Sequence, residues 1–250
     1  MHAALRGAST WLRCLFSSLA LASLTACDAS DDPPSFRYRL TVEVDTPDGL
    51  QTGSSVIEVN ATESPSGAVV LDGGARARAR GEAVAVDLPD GQTLFALLQS
   101  ENEADWASTI MFLLSPRYRG GDAYERTVFA IRRHKGAREL PYVKTVGGGM
   151  VRRDGWPMLA IFGDLSDPTS IKKVDPFDLA GTFGKGVDLR RMTVQVTDDP
   201  VSTGVEQRLK WMDQYRRKWL NGRSTISQDL TTDELTARLT AGSFSTEFAQ

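Results

Sequence analysis

The sequence predicts an α+β fold built mainly from antiparallel β-sheet, and three observations lead to this prediction. Apolar and polar residues alternate without error over residues 36–45, the pattern of a strand with one buried face. Pro-Asp-Gly turns at residues 47–49 and 89–91 each close such a segment, because proline presets φ and glycine tolerates positive φ. Strands dominate early and helices late without regular alternation, which argues against a parallel α/β fold.

Further strands are predicted from the same alternation and from short, wholly apolar runs. A triple-glycine loop at residues 147–149 separates two strands of the second half. In the last strand the alternation changes phase near Arg190 and Arg191, so a single strand there requires a bulge. These additional strands cover residues 54–60, 75–80, 84–88, 93–98, 124–131, 158–163 and 187–196.

Helices are predicted where apolar residues recur every three or four positions. Residues 106–114 follow an acidic stretch that complements a helix dipole, and residues 177–183 follow an Asp-Pro pair, the order of a helix start. The most regular apolar stripe predicts an amphipathic helix near 205–220, stopped by an Asn-Gly pair. A capping-box pattern at residues 231–234 predicts a short C-terminal helix.

The N-terminus carries an export signal. Arg6 and Arg13 precede an apolar run at residues 14–24, which has the length of a signal-peptide core and is too short for a transmembrane helix. The run ends in Leu24-Thr25-Ala26-Cys27, which resembles the bacterial lipobox. That resemblance implies cleavage just before Cys27, a diacylglyceryl group on its sulfur and, often, an acylated amino terminus. An ordinary signal peptide with a chance cysteine, or a buried helix without an export role, are the alternatives.

This interpretation divides the chain into three parts. Residues 1–26 are the signal peptide, residues 27–35 an acidic, proline-bearing tether, and residues 36–250 a single α+β domain with a candidate seam at 115–122. Two or three acyl chains hold a protein at a bilayer, since each buried methylene contributes about 0.8 kcal/mol. We therefore expect a domain that is lipid-anchored to the cell membrane and faces the periplasm, with inner and outer membrane both open.

Charge and cysteine usage limit what the mature domain can do. Loss of Arg6 and Arg13 with the signal takes the formal charge from −3 to −5, which argues against nucleic-acid binding. Cys14 leaves with the signal and Cys27 becomes a thioether, so no disulfide is available and stability must come from the core.

Two basic segments have competing interpretations. Three arginines of the 75–80 strand share one face, which is typical of a charged sheet edge; binding of a sulfate, phosphate or lipid headgroup is the alternative. The 205–220 helix carries basic residues around Trp211 and Trp219, and it could pack in the core or lie on an anionic bilayer. The burial of these two tryptophans decides between the possibilities.

The sequence contains no recognisable catalytic or metal-binding pattern. His134 is the single histidine left after removal of the signal, so common zinc sites are excluded and a Ser-His-Asp mechanism would depend on it. Asp164 and Asp167 could bind a hard cation or serve in acid–base chemistry, but Asp-Pro-Thr-Ser is typical of a turn. We therefore assign no catalytic residue, metal site or cofactor; Cys27, as the lipid attachment site, is the one assigned residue.

Segments 41–59 and 167–176 resemble uncharacterised lipoproteins of proteobacteria, and that resemblance implies a cellular location but no activity. The leading hypothesis is a non-enzymatic binding or assembly module that meets another envelope protein and is marked by an exposed apolar patch or open sheet edge. The alternative is a carboxylate-dependent hydrolase of the envelope, with or without a metal, marked by a deep pocket that holds two acids of perturbed pKa.

Overall fold

Two antiparallel β-sheets form most of the fold. The computed structural model describes residues 35–63, 75–114, 123–146, 151–225 and 234–249. Within them lie a five-stranded, a four-stranded and a two-stranded sheet and four α-helices, which confirms the α+β class with mainly antiparallel sheet. The strands are β1 (Ser35–Thr46), β2 (Gly49–Glu63), β3 (Ala75–Arg80), β4 (Val84–Asp87), β5 (Thr93–Ala96), β6 (Arg138–Glu139), β7 (Val143–Val146), β8 (Val151–Asp154), β9 (Leu159–Phe162), β10 (Ile171–Val174) and β11 (Asp188–Thr197). The α-helices are α1 (Trp106–Leu114), α2 (Ala123–Arg132), α3 (Ala180–Phe183) and α4 (Val205–Arg208).

The five-stranded sheet has the order β3-β2-β1-β11-β6. Every second residue of β1 is buried, as the alternation predicts, and the intervening polar residues form the outer face of the sheet. Glu43 pairs with Arg191 and Val44 with Leu189, so Arg190 is an extra residue in β11. The predicted bulge is thereby confirmed: without it, the two halves of β11 would present their apolar residues to opposite faces.

The four-stranded sheet has the order β10-β9-β5-β4, and its two central strands are buried on both faces. One face forms a hydrophobic core, called the first core, with the inner face of the five-stranded sheet and with helices α1 and α2. The opposite face packs against the C-terminal segment in a second core around Phe95 and Phe244. All four residues of β5 and of β9 are buried, which is the physical reason why the residues of these strands, apart from Thr93, are all apolar.

The strand predicted over residues 124–131 is wrong, because the segment is helix α2. Its Val, Phe and Ile content favours a strand, but Val128 and Ile131 are buried whereas Phe129 is 54% exposed. Burial at positions three apart is the helical period, and packing of this face on the first core outweighs the intrinsic strand propensity.

The predicted amphipathic helix over 205–220 is also broken, into α4 and a short 3-10 helix at Met212–Tyr215. Leu209 and Trp211 are both buried, and a continuous helix would direct them about 200° apart. The backbone leaves helical geometry at Leu209, with φ −106° and ψ 69°, which allows both side chains to enter the core. Trp211 is buried and packs against Phe162 and Phe244, whereas Trp219 is only partly buried. The burial of Trp211 in the second core favours core packing of this segment over a helix on a membrane surface.

Smaller differences concern the ends of predicted elements. The predicted 177–183 helix is α-helical over Ala180–Phe183 alone, and the predicted C-terminal helix is a series of 3-10 turns, beginning at Leu235–Ala237. Ser35, assigned to the tether, already pairs with Asn60 in the sheet. The signal peptide, the rest of the tether, the 115–122 seam, the triple-glycine loop and most of the 231–234 capping box lie outside the described residues.

Candidate functional site

Three aromatic side chains meet at the surface beside the edge strand β6. The ring centroids of Tyr142 and Trp156 are 5.3 Å apart, those of Tyr142 and Phe177 4.8 Å, and those of Trp156 and Phe177 5.7 Å. Tyr142 is 50% and Phe177 66% exposed, whereas Trp156 is half-buried and packs against the first core. We call these three residues the aromatic cluster.

Backbone contacts connect the aromatic cluster to the five-stranded sheet. The amide N–H of Leu140 donates to the carbonyl of Met192 at 2.8 Å, which continues the pairing of β6 with β11. The indole N–H of Trp156 then donates to the carbonyl of Leu140 at 2.7 Å. Because this partly buried N–H is satisfied by the backbone, the indole ring is held in one orientation while its face stays available to its neighbours.

The two remaining rings are also positioned by their backbones. The N–H of Gly155 donates to the carbonyl of Tyr142 at 2.8 Å, and a Cβ at residue 155 would lie 1.6 Å from the Pro141 carbonyl oxygen. Glycine is therefore required where these two segments meet. The Asp175 carboxylate accepts a hydrogen bond from the N–H of Phe177 at 2.9 Å, which closes the turn that carries the third ring.

Sequence reasoning did not select these three residues, because they come from separate segments that the fold brings together. Each is adjacent to a proline in a connecting segment: Pro141-Tyr142, Trp156-Pro157 and Pro176-Phe177. Aromatic residues in proline-bearing loops are the signal that could have identified them. Tyr, Trp and Phe are enriched in the contact surfaces of protein interfaces, because they bury a large area with little loss of side-chain entropy.

Comparisons with protein-family models, curated proteins and solved structures found no match to this chain. Across the described ranges, no helix is long and apolar enough to cross a membrane.

A polar network lies where the loop before α1 meets β8. Asp154 accepts hydrogen bonds from the Ser100 hydroxyl at 2.7 Å and the Asn102 amide N–H at 3.0 Å. Glu103 forms an ion pair of 2.9 Å with Arg153, and both side chains are largely buried. These contacts occupy the carboxylates of both Asp154 and Glu103. The network therefore has a structural role, because it connects the loop to β8.

A second surface feature is a cleft of about 440 Å³ at the end of the five-stranded sheet where β1 begins and β11 ends. Glu58 lies on one wall, between Arg37 at 3.0 Å and Arg80 at 2.8 Å. Burial acts to raise the pKa of Glu58, but the hydrogen bonds and charges of both arginines outweigh it and lower the pKa. We call this feature the basic cleft; it is lined by Ser35, Phe36, Arg37, Glu58, Arg132, Lys135, Val196, Thr197 and Asp198.

The other residues considered from sequence line neither feature. His134 is exposed just after α2. Asp167 accepts a hydrogen bond from the Thr169 N–H at 2.8 Å, which confirms the predicted turn. Asp164 accepts from the backbone and side chain of Ser166, and these bonds lower its pKa. In the described part of the chain no three potential metal ligands come close enough to hold an ion.

Two sequence assignments concern the ends of the sheet and of the chain. Arg78 and Arg80 are exposed on β3, which is an edge strand, as the charged-edge interpretation expects. Cys27 lies outside the described residues, so its lipidation stays a prediction.

Proposed function

We propose that this protein is an exported lipoprotein, held at the periplasmic face of the cell membrane through an acylated Cys27, and that it acts as a non-enzymatic binding module of the envelope. Its contact surface is the aromatic cluster. The proposed partner is another envelope protein, since the negative formal charge disfavours nucleic acid.

The exposure of the aromatic cluster is the observation that carries the binding proposal. Two of its rings are at least half exposed although the backbone beneath them is fixed by hydrogen bonds. A rigid, exposed apolar surface of this kind loses little entropy when a partner covers it. The leading hypothesis from sequence names an exposed apolar patch as the mark of a binding module, and the aromatic cluster has that character.

The position of the aromatic cluster suits a membrane-anchored protein. Leu140, which holds Trp156, lies beside Met192, and Met192 pairs with Val42. Val42 is seven residues after Ser35, about 24 Å along an antiparallel strand. The aromatic cluster is thus separated from the end of the sheet at which the tether would join, and a partner could reach it.

The carboxylate hydrolase stays an untested alternative. Glu103 and Asp154 are occupied by the hydrogen bonds and ion pair described above, and Glu58 and Asp198 in the basic cleft each face a cation. No observation among the described residues favours acid–base work by any of these four carboxylates.

The anchor is tested by mass spectrometry of the mature protein together with membrane fractionation of a Cys27→Ser variant. We expect a mature chain that begins at Cys27 and carries diacylglycerol and fatty acid, and a variant that leaves the membrane fraction. An unacylated mature chain, or a variant that still sediments with membranes, would show that the anchoring part of the proposal is wrong.

The binding surface is tested by photo-crosslinking in cells. A photoreactive amino acid in place of Phe177 should give a discrete adduct with an envelope protein, and Tyr142→Ala in the same chain should reduce that adduct at least about tenfold, the loss expected for a contact residue at the centre of an interface. Phe129, 54% exposed on α2, is the matched control position. Equal adducts at both positions, or insensitivity to Tyr142→Ala, would contradict a role for the aromatic cluster.

A further inference from the structure

The basic cleft combines cations from two elements that are distant in sequence. Arg37 comes from β1, whereas Arg132 and Lys135 come from the end of α2 and the turn after it. Lys135 lies 3.6 Å from Asp198, and Arg37 is engaged with Glu58. Arg132 is exposed and makes no ion pair within the described residues. One exposed cation that lines the cleft is therefore available to an outside anion.

The strands beside the cleft add further positive charge. Arg80 lies opposite Glu58, and Arg78 lies opposite Asn60, which itself pairs with Ser35 on the cleft wall. Arg78 is exposed and, like Arg132, is without an ion pair in the described part of the chain. The cleft and its rim thus carry Arg37, Arg78, Arg80, Arg132 and Lys135 against Glu58 and Asp198, in a chain whose formal charge is −3.

We infer that the basic cleft docks the domain onto an anionic phospholipid headgroup of the bilayer that holds the anchor. This inference rests on the proposed lipid anchoring, which supplies the geometry. Ser35 lines the cleft and is eight residues after Cys27. Eight extended residues span at most about 29 Å, so the anchor would keep the cleft close to the headgroup phosphates.

Charge complementarity and tethering act in the same direction. An anionic leaflet attracts basic surface groups within about one Debye length, roughly 8 Å at physiological ionic strength. A short tether raises the effective concentration of headgroups at the cleft to about the millimolar range, so weak intrinsic binding is sufficient. Asp28, Asp31 and Asp32 in the tether are repelled by the same surface, so the attraction must come from the folded domain.

The test uses the acylated protein in proteoliposomes. Cys14 is lost with the signal and Cys27 is acylated, so His134→Cys gives a single reactive thiol beside the cleft for a fluorescent donor. Energy transfer to acceptor-labelled headgroups is compared in phosphatidylglycerol and phosphatidylcholine vesicles. We expect transfer about twofold higher or more on the anionic vesicles at physiological salt, and loss of the excess near 1 M salt, where the Debye length is about 3 Å.

Charge-removal variants make the test specific. Arg132→Ala with Lys135→Ala should remove the excess transfer, whereas Lys172→Ala with Lys185→Ala, which removes the same charge from exposed sites outside the cleft, should retain it. Equal transfer on both vesicle types, or equal loss in both double variants, would overturn the inference. Loss of the excess when inorganic phosphate replaces sulfate at matched ionic strength would overturn it in favour of a small-anion site.

The same preparation separates this inference from the proposed anchoring. Flotation of the protein with both vesicle types reports the anchor alone, because acyl chains insert regardless of headgroup charge. Failure to float with either vesicle means that the anchor is wrong, and the docking inference falls with it. Flotation with both vesicles, with equal energy transfer, means that the anchor is right and the docking inference is wrong.

Discussion

Replacing Gly155 by alanine tests how the aromatic cluster is held in place. The new Cβ would lie 1.6 Å from the Pro141 carbonyl oxygen, whereas a carbon–oxygen contact needs about 3.3 Å, so the two segments must separate. Separation breaks the hydrogen bond from Gly155 to Tyr142 and weakens the one from Trp156 to Leu140. At about 1 kcal/mol for each bond and 1–3 kcal/mol for overpacking, we expect a loss of about 3–5 kcal/mol in the free energy of unfolding.

The assay is urea unfolding followed by tryptophan fluorescence, with near-ultraviolet circular dichroism as a report on the packed rings. Gly136→Ala is the matched control, because a Cβ there meets nothing within 4 Å. We expect the control to change the free energy of unfolding by less than about 0.5 kcal/mol, as surface substitutions do. If Gly155→Ala is as mild as the control and keeps the near-ultraviolet signal, the steric reasoning is refuted.

Three further predictions concern the cores. Tyr38→Phe removes a buried hydroxyl that donates to the Ala107 carbonyl at 2.9 Å, and should cost about 1 kcal/mol in urea unfolding, against no change for Tyr215→Phe. Burial raises the pKa of Glu82 above its usual 4.5. The protonated carboxyl therefore stabilises the fold below pH 4.5, and this contribution is lost as pH rises through the folded pKa. A difference in the free energy of unfolding between the unchanged protein and Glu82→Gln that does not vary with pH would contradict this. Phe244→Ala should cost about 3–5 kcal/mol, and a loss under about 1 kcal/mol would show that the C-terminal segment is not part of the second core.

The prediction that the fold is α+β succeeded where local periodicity and burial coincide. The alternation of β1 and the phase change at Arg190 were sufficient to predict which residues of these two strands face the core, because the face on which a strand residue lies follows from its position alone. Helix α1 matches its predicted bounds, 106–114, because Trp106, Ile110 and Leu113 recur at helical spacing and all three are buried. Helix α2 was missed because its β-branched residues favour a strand, while its packing against the first core imposes the helical period.

The 205–220 segment shows where local pattern is insufficient. Its apolar stripe is compatible with one helix, but the second core requires both Leu209 and Trp211, which no single helix face can present together. The free energy of burying both side chains exceeds the cost of leaving the helix, so the break is a tertiary effect. Neighbouring residues in the sequence carry no information about the space between Phe162 and Phe244 that Trp211 fills.

The sequence by itself determined the alternation of β1 and the bulge in β11, the class of fold, and the expectation of an export signal with its lipid-bearing Cys27, because each depends on residues that are close together in the chain. The aromatic cluster and the basic cleft were decided by the tertiary structure alone. Each assembles side chains from separate segments, and their proximity follows from strand pairing and core packing across the whole chain. Long-range packing, which local periodicity does not encode, placed both surfaces.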